Sequence, residues 1–193
     1  MTDAAGSDRR RLRDAIEVGA ALALAWPVGM AGASTTLQSL SLLYFVARIV
    51  WQDLSSLTIP DGAAVALAIL GLAARGGEGA DLGEPFGTTA GLAALDAVLC
   101  GGSLLAIREG YYRRRGHDGL GFGDVKLAAA GGMLVGTLAF AWALLGASLL
   151  GIAILLAARR GPVARTKLAF GAVLAPALWT AFVLQRVLPT ASG

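Results

Sequence analysis

The chain has 193 residues, 56% hydrophobic and 15% charged, with a formal net charge of +3. A soluble domain is about 45–50% apolar and about 25% charged. This composition therefore excludes an ordinary soluble domain and points to an all-α, polytopic membrane helical bundle. A single cysteine, Cys100, and a single histidine, His117, exclude an internal disulfide, a cysteine-rich zinc site and a histidine-based metal site. Neither a metal nor a cofactor is expected.

In chain order, residues 1–14 form a basic segment holding Arg9, Arg10, Arg11 and Arg13, followed by an apolar run at 15–33. That layout is shared with signal peptides, but the length of the run and the spans beyond it favour a retained first helix. A spanning helix needs ~20 mostly apolar residues. Further runs of this kind lie at 36–52, 60–75, 90–108, 122–138, 140–158 and 168–188. The count is about seven spans, or six if the first or the third does not cross. The fifth and sixth are barely separated, and a turn is expected near Gly136–Thr137. Residues 1–193 read as a single membrane-embedded domain.

Orientation follows from the basic residues, which gather in cytoplasmic loops. Arg9–Arg13 precede the first span, Arg108 and Arg113–Arg115 precede the fifth, and Arg159, Arg160, Arg165 and Lys167 separate the sixth from the seventh. Alternating spans place all three clusters on one side, and the segment GGEGADLGEP on the other is acidic and glycine-rich. The N-terminus is expected in the cytoplasm. The basic balance is thus a topology signal, compatible with contact to anionic membrane lipid, and no nucleic-acid partner is needed to explain it.

Two carboxylates then stand out. Asp53 ends the second span in WQDLSSLTIPDG, and Asp124 opens the fifth in DGLGFGDVKLAAAGG, so both are expected at the cytoplasmic rim. Ionisable groups at membrane depth are costly and functional by default. Two carboxylates brought together resist double ionisation, which leaves one as a proton acceptor and the other as a donor, a set able to hydrolyse a peptide bond. Helix capping is the competing reading: aspartate is a favoured N-cap, which suits Asp124 and Asp61 well. It suits Asp53 less, because a helix C-terminus disfavours an anion. Gly119, Gly121 and Gly123 free the backbone for unusual dihedrals and for close approach of another chain, such as an extended substrate strand.

Together DLSSLTIPD and GLGFGDVKLAAA resemble the two motifs of the type IV prepilin peptidases, the GxGD class of intramembrane aspartic proteases, over roughly residues 40 to 175. The resemblance implies that Asp53 and Asp124 are the catalytic aspartates of one membrane-embedded peptidase domain. It implies a bacterial inner-membrane protein whose partner is a prepilin or pseudopilin precursor, cut on the cytoplasmic side after the glycine that ends a basic leader. Larger members add an insert with paired CxxC motifs and methylate the new N-terminus using S-adenosylmethionine. Lacking any cysteine pair, this chain resembles the short, peptidase-only form. An archaeal preflagellin-type peptidase uses the same two motifs, and a non-catalytic scaffold or small proton or cation transporter is the reading from a different class.

Other residues carry weaker expectations. Lys126 matches the lysine of the family's GDxK pattern, though a side chain snorkelling to the interface explains it at least as well. Asp96 reads either as a third intramembrane carboxylate able to relay protons or, the favoured reading, as an outer-side cap of a fourth span that starts near Ala94. The glycine pairs Gly101–Gly102 and Gly131–Gly132 suit close helix contacts. The tryptophans near span ends suit interface anchoring. The family's late PFGP-type segment survives only as AFGAVLAP, residues 169–176.

Overall fold

A computed structural model of the protein describes residues 2–28, 35–116, 119–158 and 169–188. These form helices α1 (Thr2–Val28), α2 (Thr35–Ser56), α3 (Asp61–Asp81), α4 (Phe86–Arg115), α5 (Phe122–Ala158) and α6 (Gly171–Val187). The architecture is a helical bundle. By length and composition α3, α4 and α5 are apolar enough to cross a membrane, and α6 is a shorter apolar helix. Leu138, Trp142, Leu149 and Ile152 stand exposed on the outside, as suits a chain whose solvent is lipid. Phe45, Ile49, Leu67, Leu70, Leu127, Leu134, Leu174, Leu178 and Phe182 fill the interior. His117 and the cluster Arg159–Lys167 lie outside the described residues.

Three boundaries differ from the sequence expectation. The basic segment is not separate from the first span, since α1 is helical from Thr2 onward. The glycine-rich stretch at 76–81 is the last part of α3 and not a loop. Glycine weakens a helix by about 1 kcal/mol relative to alanine, but here it permits contact. A Cβ on Gly76 would stand 3.0 Å from the Phe86 ring, and one on Gly79 would stand 2.5 Å from Thr89 Oγ1. Thus α3 and α4 meet closely and only residues 82–85 turn. Helix α4 starts at Phe86, so Asp96 is ten residues inside it and caps nothing of its own helix.

The expected turn between the fifth and sixth runs falls at Gly136, where φ is 79° and ψ is 164°, inside α5. That left-handed φ favours glycine. A Cβ on Gly131 would meet the Phe140 ring at 3.2 Å, whereas nine residues of straight helix extend ~13.5 Å. The two halves of α5 are therefore not collinear.

Such a break frees backbone groups that lipid cannot satisfy, and side chains from three other helices take them. Asp96 accepts from Thr137 N at 3.2 Å and from Thr137 Oγ1 at 2.6 Å. Arg75, ion-paired to Asp96 at 2.7 Å, also reaches the carbonyls of Met133 and Gly132 at 3.4 and 3.5 Å. Gln185 of α6 donates to the carbonyl of Val135 at 3.1 Å. Close passage of α4 makes this geometry available, because a Cβ on Gly132 would stand 2.5 Å from Asp96 O. Asp96 thus caps the second half of α5 and not, as the sequence suggested, a fourth span beginning near Ala94.

The helix ends sort into two groups. At one end, Asp14 of α1 accepts from Gly62 N at 3.4 Å, Asp61 of α3 pairs with Lys126 of α5, and Ala172 N of α6 donates to Asp53 of α2. Arg11, Arg13 and Arg113–Arg115 belong to this end, here called the basic end. The opposite end holds the α5 break, the Arg186–Glu78 pair and the bond from Gln38 Nε2 to Val28 O.

Candidate active site

Asp53 lies near the C-terminus of α2 and is 5% exposed. Its Oδ2 accepts from Ala172 N at 2.8 Å, and the Gly171 amide also faces the carboxylate. The unfavourable position at the end of α2 is offset by the positive end of α6, whose first amides are otherwise unpaired. Asp53 is therefore an N-terminal cap for α6, reached across the bundle. The closeness requires glycine: a Cβ on Gly171 would stand 3.0 Å from Asp53 Oδ2 and 2.8 Å from Ile59 Cδ1.

Asp124 occupies the first turn of α5, where the helix dipole favours a carboxylate. Its amide donates to Gly121 O at 3.2 Å, and the Gly121 amide faces its carboxylate. The two aspartates lie close enough for the charge of Asp53 to act on Asp124. Ile59, half-buried in the Leu57–Pro60 connection, fits between their supports. A Cβ on Gly123 would stand 3.0 Å from Ile59 Cβ, so one isoleucine touches the residue before Asp124 and the residue before the amide that binds Asp53.

The glycines of GLGFGD act through space and not through dihedrals, which corrects half of the sequence expectation. None of Gly119, Gly121 and Gly123 has a positive φ. Gly119 lies under the Tyr111 ring, where a Cβ would stand 2.6 Å from Cε1. Arg108 donates to Leu120 O at 3.2 Å and sits over the Phe122 ring. The end of α4 thereby fixes the segment leading to Asp124. Lys126 is not simply snorkelling: its Nζ pairs with Asp61 Oδ1 at 2.7 Å and lies over the Phe122 ring at 5.1 Å. The connection itself is tight, with Leu57 at φ 53° and Ser56 Oγ 2.7 Å from Thr58 Oγ1.

Sequence reasoning missed Ile59, Gly171 and Ala172. The signal was present in the AFGA of residues 169–172, but its partner is more than a hundred residues away. Among the described residues, no group of three or more His, Cys, Asp or Glu side chains is arranged to hold a metal ion.

A buried and a half-buried carboxylate from two helices, set at one end of an apolar bundle, define a class: membrane-embedded helical proteins with an acidic pair at one rim. The family model described as type IV leader peptidase family matches residues 40–156. That is more than half of the chain, and the chain belongs to this family, a family of proteases. The match includes both aspartates and ends before α6. Searches of curated proteins and of solved structures found no match.

Proposed function

We propose that this protein is an aspartic endopeptidase that removes the basic leader of a prepilin or pseudopilin precursor after a glycine, at the cytoplasmic face of a bacterial inner membrane. Asp53 and Asp124 share one proton. The ionised carboxylate takes a proton from water as the water oxygen attacks the scissile carbonyl carbon, and the protonated carboxyl donates to the carbonyl oxygen. Collapse of the resulting gem-diol, with a proton passed to the leaving nitrogen, releases the leader and the new N-terminus. The observation that carries this reading is the approach of the two carboxylates at the basic end, with Ile59 packed between their supports. A basic leader would lie near the anionic lipid surface that the arginine clusters also face.

The test uses full-length protein in proteoliposomes and a peptide with a basic leader, a glycine and an apolar helix. Asp53→Asn and Asp124→Asn should each lower cleavage by about 100- to 10,000-fold while the protein still inserts and unfolds at a similar temperature. Cleavage at the parent rate by either variant refutes the aspartate pair.

A further inference from the structure

The ion pair between Lys126 and Asp61 links the two motifs at a particular place. Lys126 is two residues beyond Asp124, and Asp61 opens α3 directly after Ile59 and Pro60. Both side chains are substantially exposed, at 39% and 61%. Exposed pairs contribute only about 0–1 kcal/mol to stability, so this one is a poor candidate for holding the bundle together.

Its geometry suits another task. Ile59 is in close contact with Gly123 on one side and with Gly171 on the other, so its location fixes how far apart the Asp53 and Asp124 supports stand. The connection bearing Ile59 follows directly from Asp53's own helix, and Leu57 N donates to Asp53 O at 2.9 Å. At its far end, Asp61 is tied to Lys126, and the neighbouring amide of Gly62 donates to Asp14 of α1. The pair therefore closes a ring through the backbone: Asp53, the connection, Asp61, Lys126 and back over two residues of α5 to Asp124.

We infer that Lys126 and Asp61 are positioning residues, whose ion pair holds Ile59 in place as a spacer and so sets the separation of the two carboxylates. This rests on the proposed aspartate mechanism. A displacement of about 1 Å at a reacting group can lower a rate about 100-fold, far more than the stability of an exposed pair would suggest.

The experiment has a catalytic and a geometric arm, both on full-length protein in proteoliposomes. In the first, Lys126→Ala and Asp61→Asn should each lower kcat by about 10- to 100-fold with KM changed by about twofold or less. Lys126→Arg should retain most of kcat, and the exchanged pair Lys126→Asp with Asp61→Lys should recover about tenfold or more over either single change. In the second, nitroxides at Ser55→Cys and Arg115→Cys, in a Cys100→Ala background, report the spacing between the end of α2 and the end of α4 that carries the Asp124 segment. That distance distribution should broaden in Lys126→Ala. A parent-like kcat or an unbroadened distribution in Lys126→Ala overturns the inference. So does a kcat loss that the exchanged pair fails to recover, because Lys126 would then act by itself. Cleavage by Asp53→Asn would instead remove the aspartate mechanism, and the nitroxide distances would still decide whether the pair positions the two segments.

Discussion

Gly171→Ala adds one methyl group at the place where α6, Asp53 and Ile59 meet. The new Cβ would stand 2.8 Å from Ile59 Cδ1, 3.1 Å from Ile59 Cγ1 and 3.0 Å from Asp53 Oδ2. Carbon atoms pack at about 3.5–4.0 Å, so the isoleucine has to retreat by ~1 Å. It has little room, since its Cβ already limits what Gly123 can carry. The remaining freedom is on the Asp53 side, where moving the carboxylate by a similar distance stretches the 2.8 Å bond to Ala172 N beyond hydrogen-bond range. Overpacking costs about 1–3 kcal/mol, offset by roughly 0.5–1 kcal/mol because alanine suits a helix better than glycine. The bundle should therefore remain folded, with a modest fall in thermal midpoint, while leader-peptide cleavage falls about 100-fold. Ile59→Val removes Cδ1, the atom in closest contact, so Gly171→Ala with Ile59→Val should regain much of the lost rate. Parent-like cleavage by Gly171→Ala would refute this account of the contact. So would a loss that Ile59→Val does not relieve.

Asp96→Ala removes the acceptor for Thr137 and the partner of Arg75, whose side chain is 22% exposed. A loss of about 3 kcal/mol is expected, at the lower end for breaking a buried pair, with Asp96→Asn less damaging because it keeps an acceptor. Maleimide labelling of Cys100 measures this, since the thiol is 2% exposed and 3.9 Å from Thr137 Oγ1, and Asp96→Ala should label faster. Gly62→Ala would place a Cβ 2.7 Å from Asp14 Cα and 2.9 Å from Asp14 O. Backbone atoms yield little, so α1 should loosen at a cost of about 1–3 kcal/mol, seen as faster limited proteolysis within α1.

How much of this was legible in the sequence differs between levels. Apolar windows report transfer into lipid, and they located the helices along with the break at Gly136. Basic clusters report sidedness, and they placed Asp53 and Asp124 at one end before any packing was known. What stayed hidden depended on contacts distant in sequence. The acidic, glycine-rich run at 76–81 has a poor helix propensity, and only the closeness of Phe86 and Thr89 shows why those glycines suit the helix. Asp96 looked like a cap for its own helix because local pattern cannot show that α4 passes the α5 break, forty residues on in sequence, at that point. Lys126 looked like an interfacial side chain because nothing near it in sequence predicts Asp61 as its partner.

The two ends of the bundle treat their buried and half-buried carboxylates differently. Away from the basic end, Asp96 meets Arg75, Glu78 meets Arg186, and the polar contacts complete the backbone of a broken helix. An arrangement satisfied in this way serves the fold. At the basic end the charge of Asp53 acts on Asp124, like on like, and Asp53 accepts from the amide end of a helix. Lys126, the cation nearest in sequence to Asp124, pairs with a third carboxylate, Asp61, instead. Stability alone would favour Lys126 between the two aspartates. Its pairing with Asp61 instead ties the start of α5 to the start of α3, and under the proposed mechanism it leaves the charge of Asp53 to act on Asp124, as two-carboxylate hydrolysis requires.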